Sequence, residues 1–157
     1  MTSYLCKIIS PIENLLKMIP EWFVNLAMRL VIFKVFWFSV QTKITGLTIG
    51  GQHFAFWNVT DSTFLLFDFE YGIPLIPSEL AAYLGTFGEF FLAIMLLLGL
   101  MTRFAALGLF VMTMVIQFFV YPDAWWTVHA YWVLPLLYLM RQGGGLISLD
   151  HIIWKRH

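Results

Sequence analysis

From Ala81 to Met101 the chain carries a single formal charge, Glu89, in a stretch long enough to cross a bilayer. A helix needs roughly 20 apolar residues to span the hydrocarbon core, and a helix that is apolar on every side belongs either in a large core or in lipid. The remaining sequence has the same character: 61% of residues are hydrophobic, 11% are charged, and the mean hydropathy is +0.82, far from the soluble average. The class that follows is an all-α integral membrane protein, with room for a four-transmembrane-helix bundle in one domain over 1–157. Nine basic and nine acidic side chains balance and form no basic patch, so the partner is the lipid bilayer and not nucleic acid. One cysteine, Cys6, rules out an internal disulfide or a CxxC relay. The first twenty residues lack the apolar core and cleavage site of a secretory signal, so none is expected.

The segment "SPIENLLKMI" carries a helix start, with Ser10 as cap, Pro11 at the first position and Glu13 completing a capping box. Ile8, Ile12, Leu15, Leu16 and Ile19 share one side of that helix, which suits an N-terminal amphipathic helix lying in the interface over about 8–19. Spans are expected over about 21–45, 78–101, 103–121 and 125–141. Pro135 falls inside the last, and Gly143–Gly145 stop it. Lys7, Lys17, Arg103, Arg141, Lys155 and Arg156 fall on one side of this four-span arrangement, and Asp61, Asp68, Glu70, Glu79 and Asp123 on the other. By the positive-inside rule both termini and the 142–157 tail are cytoplasmic, with Arg103 and Arg141 as topology anchors. The 46–77 loop is too aromatic for a solvated linker; it is expected to cap the outer mouth, with Trp57 and Tyr71 as interfacial anchors.

Arg29, Lys34, Lys43, Glu89 and His129 form the candidate intramembrane polar set. An ionisable group near the bilayer centre costs several kcal/mol on insertion scales, so it faces protein or water. Counted along helices, Arg29 lies about 12 Å and Lys34 about 20 Å into the first span, and Glu89 about 16 Å into the second from the opposite side. Ala81, Ala82, Gly85, Gly88, Glu89 and Gly99 share one side of the second helix, and small residues mark close helix contact, which turns Glu89 inward. An Arg29–Glu89 pair is the preferred contact and Lys34–Glu89 the second. Such a pair either fixes helix register or lines a cavity that binds a polar headgroup or moves protons. His129, beside Trp125, Trp126 and Trp132, reads as part of an aromatic belt; its spacing from His53 gives no support for a metal, and none is expected. Thr102, Ala106, Thr113 and Gln117 make a mildly polar stripe suited to interhelical hydrogen bonds. No catalytic residue is assigned.

In order along the chain come Arg29 with Lys43 fourteen residues later, "YGIPLIPSELAAYL", Glu89 with "LLLGLMTR", and "GGGLISLD" from Gly143 to Asp150. This series resembles the DoxX family of small bacterial membrane proteins over about Leu26 to Ile153, and "MTMVIQFFVYPDAWWTVH" is similar to its proteobacterial branch. Lys34 is an extra base, and three glycines replace the usual G-P-G-like turn. The resemblance implies a four-helix bundle with both termini inside, in a family that includes the small membrane subunit of a thiosulfate:quinone oxidoreductase.

Three readings of function stay open. The first is an accessory or anchor subunit of a membrane oxidoreductase, contacting quinone near Arg29, Glu89 and the outer aromatic loop, with electrons from partner protein subunits. The second is a component that binds or transports a small ligand on Arg29 and Lys43. The third is a scaffold whose buried pair only sets packing. Oligomeric state, including a homo-oligomer, is left open.

Overall fold

The computed structural model describes residues 13, 15–72, 74 and 76–154 and is mostly helical. The interfacial helix expected over about 8–19 lies mostly outside the described residues; within them, Leu15–Lys17 are helical and Leu15, Leu16 and Met18 are exposed.

Pro20, extended and without an N–H to give, precedes α1 (Glu21–Gln41), and Glu21 places an acid at the positive end of that helix. α1 stops four residues short of the expected Thr45. The backbone at Lys43–Thr45 bonds instead to the following loop, through Thr60 N–H to the Lys43 carbonyl at 2.9 Å and Thr45 N–H to the Asn58 carbonyl at 3.0 Å. That loop contains a hairpin of β1 (Thr48–Ile49) and β2 (Gln52–His53), paired antiparallel. Gly50 and Gly51 form its turn at φ 58° and 78°, the double positive φ that a two-residue hairpin turn requires. A short helix, α2 (Asp61–Leu65), winds on more loosely through Leu66–Tyr71 and ends at Gly72.

α3 (Ser78–Leu98) begins after Pro77 and ends at Gly99, whose left-handed φ of 67° lets Gly99 and Leu100 N–H close on the Leu96 and Met95 carbonyls at 3.1 and 2.9 Å. Three residues later α4 (Thr102–Phe119) starts, and Pro122–Ala124 and a loose turn over Trp125–His129 lead into α5 (Ala130–Gln142) and the short α6 (Leu149–Trp154). α1, α3 and α4 are each long and apolar enough to cross a membrane. α5 has 13 residues of regular helix.

The core joins four helices through Ile32 and Phe36 of α1, Ala93 and Leu96 of α3, Ala106 and Leu109 of α4, and Leu136 and Leu139 of α5. Phe38, Phe104, Phe118 and Leu134 point outward and are more than half exposed, which is stable only where lipid replaces water. The small residues of α3 do not all receive a neighbouring long helix. A side chain on Gly85 would strike Phe67 of the loop at 2.9 Å, one on Gly88 would meet Met112 of α4, and one on Gly99 would strike Arg29. The stripe therefore serves three different contacts. Pro20, Gly99–Met101 and Gly143–Asp150 gather at one end of the bundle, the proximal end, and Lys43, the hairpin and α2 at the other, the distal end.

Candidate functional site

Two buried polar clusters lie at opposite ends of the apolar core. At the distal end Lys43 Nζ lies 2.6 Å from both Glu89 carboxylate oxygens and 2.9 Å from Ser39 Oγ. Both side chains of the pair are buried, 5% and 4% exposed. An ammonium has three donors, and these contacts use all of them. Lys43 is fixed from behind as well, its carbonyl accepting from Thr60 N–H and from Thr63 Oγ–H at 3.2 Å.

The expected Arg29–Glu89 pair is not formed, and neither is Lys34–Glu89. Lys34 is exposed, its ammonium 5.8 Å from the centre of the Phe38 ring. The reason is side-chain direction. Helical Cα–Cβ bonds tilt toward the N-terminus, so Arg29 leans to the proximal end, while Lys43 leans back into the bundle. Glu89, on an antiparallel helix, leans to the distal end and meets Lys43. A depth count along the axes misses this divergence.

Arg29, 2% exposed, donates to four carbonyls. Nε and Nη2 reach Leu96 O at 2.8 Å and Leu97 O at 2.6 Å, and Nη1 reaches Gly144 O at 3.0 Å and Ile147 O at 2.5 Å. Leu96 and Leu97 lie in the last turn of α3, whose carbonyls form the negative end of its dipole, and the Leu96 carbonyl also accepts from Gly99 N–H. The surrounding segment is tied in the same way. Asn25 Nδ2 donates to Gly143 O at 2.7 Å, Ser148 Oγ to Gly145 O at 2.6 Å, and Asp150 N–H to Gly99 O at 2.9 Å. The Asp150 carboxylate accepts from Met101 and Thr102 N–H at 2.6 and 2.9 Å and so caps α4. The "LLLGLMTR" and "GGGLISLD" stretches are thus the acceptors and caps of one clamp around Arg29. Both stretches stand out in the sequence, but an inward arginine there looks like a partner for an acid; the signal for the clamp is the set of helix-end carbonyls lying near it.

His129, 2% exposed, lies apart from the Lys43–Glu89 bonds. Its Nδ1 is 2.6 Å from Gln117 Oε1, and Gln117 Nε2 donates to Pro122 O at 2.6 Å. With the amide so oriented, Nδ1 carries the ring proton. His129 also meets the Trp132 ring edge-on at 5.4 Å. It is a tie between α4 and the chain entering α5, and a more buried one than an interfacial belt requires. Arg103 and Arg141 are exposed at the proximal end.

Next to the distal cluster, Tyr71 is pushed up to about 12 by burial first, then by the charges of Glu89, Tyr121 and Glu70. Tyr121 donates to Glu70, and that hydrogen bond raises its own pKa.

At the proximal end a cavity of about 800 Å³ opens between α1, the start of α4, the end of α5 and the glycine turn. Asn25 and Thr102 line it, and Asn25 Oδ1 and Thr102 Oγ1 are buried without a hydrogen-bond partner, as is Thr86 Oγ1 elsewhere. Among the described residues no group of three metal-binding side chains converges.

The chain matches the DoxX family over residues 24–122, more than half its length. It is similar to an uncharacterized protein of Haemophilus influenzae, with 31% identity over 94 residues, covering 55% of this chain and 62% of the relative. The match thus spans less than two thirds of the relative. No solved structure matches. With the family's motif stretches gathered around Arg29 and its glutamate buried against Lys43, this chain belongs to the DoxX family of membrane proteins.

Proposed function

We propose that this chain is a non-autonomous subunit, an anchor or accessory component of a quinone-linked oxidoreductase system in the bacterial inner membrane. The observation that carries the reading is that its deep charges are spent inside the fold. Lys43 uses every donor on Ser39 and Glu89, and Arg29 gives four N–H bonds to backbone carbonyls. A side chain that binds substrate or moves protons needs free bonding capacity, and these have almost none. In this reading partner subunits carry the electrons and handle quinone, and this chain supplies a rigid seat in the bilayer.

The run Trp125–Gln142 forms the fourth crossing. Its proximal end supports this, since Gly143 accepts from Asn25 near the start of α1 and a side chain there would meet Arg103 at the start of α4. Lys17, Arg103 and Arg141 at the proximal end and Asp61, Asp68 and Glu79 at the distal end support a cytoplasmic proximal face. The 42–77 loop caps the distal mouth, with Phe56 against Phe87, Phe90 and Phe91.

The test compares membranes from cells lacking the chain with membranes restored with wild type or with the K43M/E89M double variant. Quinone reduction is measured with thiosulfate and with other donors. The expected result is a donor-specific loss without the chain and recovery with both forms. Unchanged quinone reduction without the chain contradicts the subunit reading and leaves a structural scaffold. A folded double variant that fails to restore activity would make the pair functional.

A further inference from the structure

Lys34 is a deep charge that the described residues leave without an ionic or hydrogen-bonding partner. α1 is long and apolar enough to span the bilayer, and Lys34 lies about 20 Å from its start at Glu21 and about 10 Å from its end at Gln41. Arg29 and Lys43 turn inward and are bonded, whereas Lys34 is exposed on the outer side of the helix. A four-carbon stem falls short of either end, so the ammonium stays among lipid chains. Its contact is the Phe38 ring, 5.8 Å away at the centroid.

A lysine in the middle of a span disfavours insertion by about a hundredfold, and a cation–π contact recovers only part of that. Charges at this depth persist where they pair with another group or face water. The outer side of α1 offers neither. Phe23, Leu30, Val31 and Phe38 are apolar and exposed. With Ala27 and Lys34 they recur at intervals of three and four residues, the spacing of a helix–helix seam. An apolar seam alone would be satisfied by lipid; the lysine within it calls for a carboxylate.

A second copy of this chain cannot supply one. Of the nine acids, only Glu89 lies in a long helix away from its ends, and Glu89 is buried against Lys43. Two parallel copies joined along this seam would also bring two Lys34 ammonium groups to the same depth.

We propose that the outer face of α1 is the seat of a transmembrane helix from a different chain, one that carries an Asp or Glu at the depth of Lys34. The inference rests on the subunit reading for the existence of a second chain and not for any redox chemistry.

The test places a benzophenone side chain at Val31, one turn before Lys34 on the seam, and as a control at Phe118, exposed on α4. The full chain is irradiated in the membranes of the cells that make it, and cross-linked peptides are sequenced. Val31 is expected to capture one transmembrane peptide of another protein, with an Asp or Glu within a turn of the cross-link, and Phe118 to capture lipid. K34M is expected to lower capture about three- to tenfold, the range for one polar contact between membrane helices, and K34R to keep it. The isolated K34M chain in nanodiscs keeps or exceeds the wild-type melting temperature, which separates lost capture from lost folding. K34E loses capture, and K34E combined with a lysine in place of the partner's acid regains it. Capture at Val31 of lipid alone, of a second copy or of a helix without an acid would overturn the proposal, as would undiminished capture by K34M or earlier melting of that variant. Capture of an acid-bearing helix in membranes whose quinone reduction does not depend on this chain would keep the proposal and remove the oxidoreductase reading. Dependent quinone reduction with lipid alone at Val31 would do the reverse.

Discussion

Arg29 lies within α1 and Lys43 just past its end, fourteen residues on, and they serve opposite ends of the bundle: Arg29 leans toward the N-terminus of its helix, and Lys43 meets Glu89 at the other end. Arg29 bonds carbonyls of two separate segments in a planar fork that a lysine cannot reproduce. R29K is therefore expected to destabilise by about 1.5–3 kcal/mol for each charge-assisted hydrogen bond it fails to remake, read as loss of melting temperature in a membrane mimic. R29K at wild-type stability would contradict the clamp. Gly99 is the companion position, since a Cβ there would lie 2.7 Å from Arg29 Nη2 and 2.5 Å from Ser148 Cβ, on a left-handed backbone. G99A is expected to lower the melting temperature through both effects. The inward direction of Glu89 was legible from its small neighbours; its partner was not, because axial depth says nothing about which way a long side chain bends.

Among the elements, the end of α3 and the start of α4 are held by a segment some 50 residues downstream, through Asp150. Helix boundaries at Pro77 and Gly143 were readable from residue type, because glycine and proline act locally, whereas α3 ends at Gly99, inside the span expected to run to Met101. The end of α1 was not readable either, because its last turn is decided by hydrogen bonds to Asn58 and Thr60. Replacing Asp150 by Ala is expected to cost about 1 kcal/mol, the usual value for a lost helix cap, measured as a fall in melting temperature. The loop carries a pH signature. Tyr71 is raised to about 12, chiefly by burial, above its ordinary value near 10. The stability it contributes is complete below pH 10 and is lost as pH rises from 10 toward 12. Spectrophotometric titration of ionising tyrosine is expected to show a class near 12 that Y71F removes. A Y71F profile identical to wild type would contradict burial of that ring.

For the whole molecule, composition points to the membrane class, and three helices long and apolar enough to cross a bilayer agree with it. The family was legible in motif order and is matched over residues 24–122. The proximal cavity was not legible, since it arises where four segments distant in sequence meet. Orientation can be read with single cysteines in a C6S background. Thr48→Cys in the hairpin is expected to react with an impermeant maleimide from the periplasmic side, and Gln142→Cys only after the membrane is opened. The reverse pattern would invert the topology.

The central claim is that the buried charges hold the fold, and a double-mutant cycle at Lys43 and Glu89 tests it most directly. Denaturant unfolding in a membrane mimic is expected to show each single variant, K43M and E89M, destabilised by about 3–5 kcal/mol, because each leaves an uncompensated buried charge. The K43M/E89M double variant is expected to recover to within about 1 kcal/mol of wild type or to exceed it. A double variant as unstable as the sum of the singles would show that the two side chains do not act as a pair and would contradict the account.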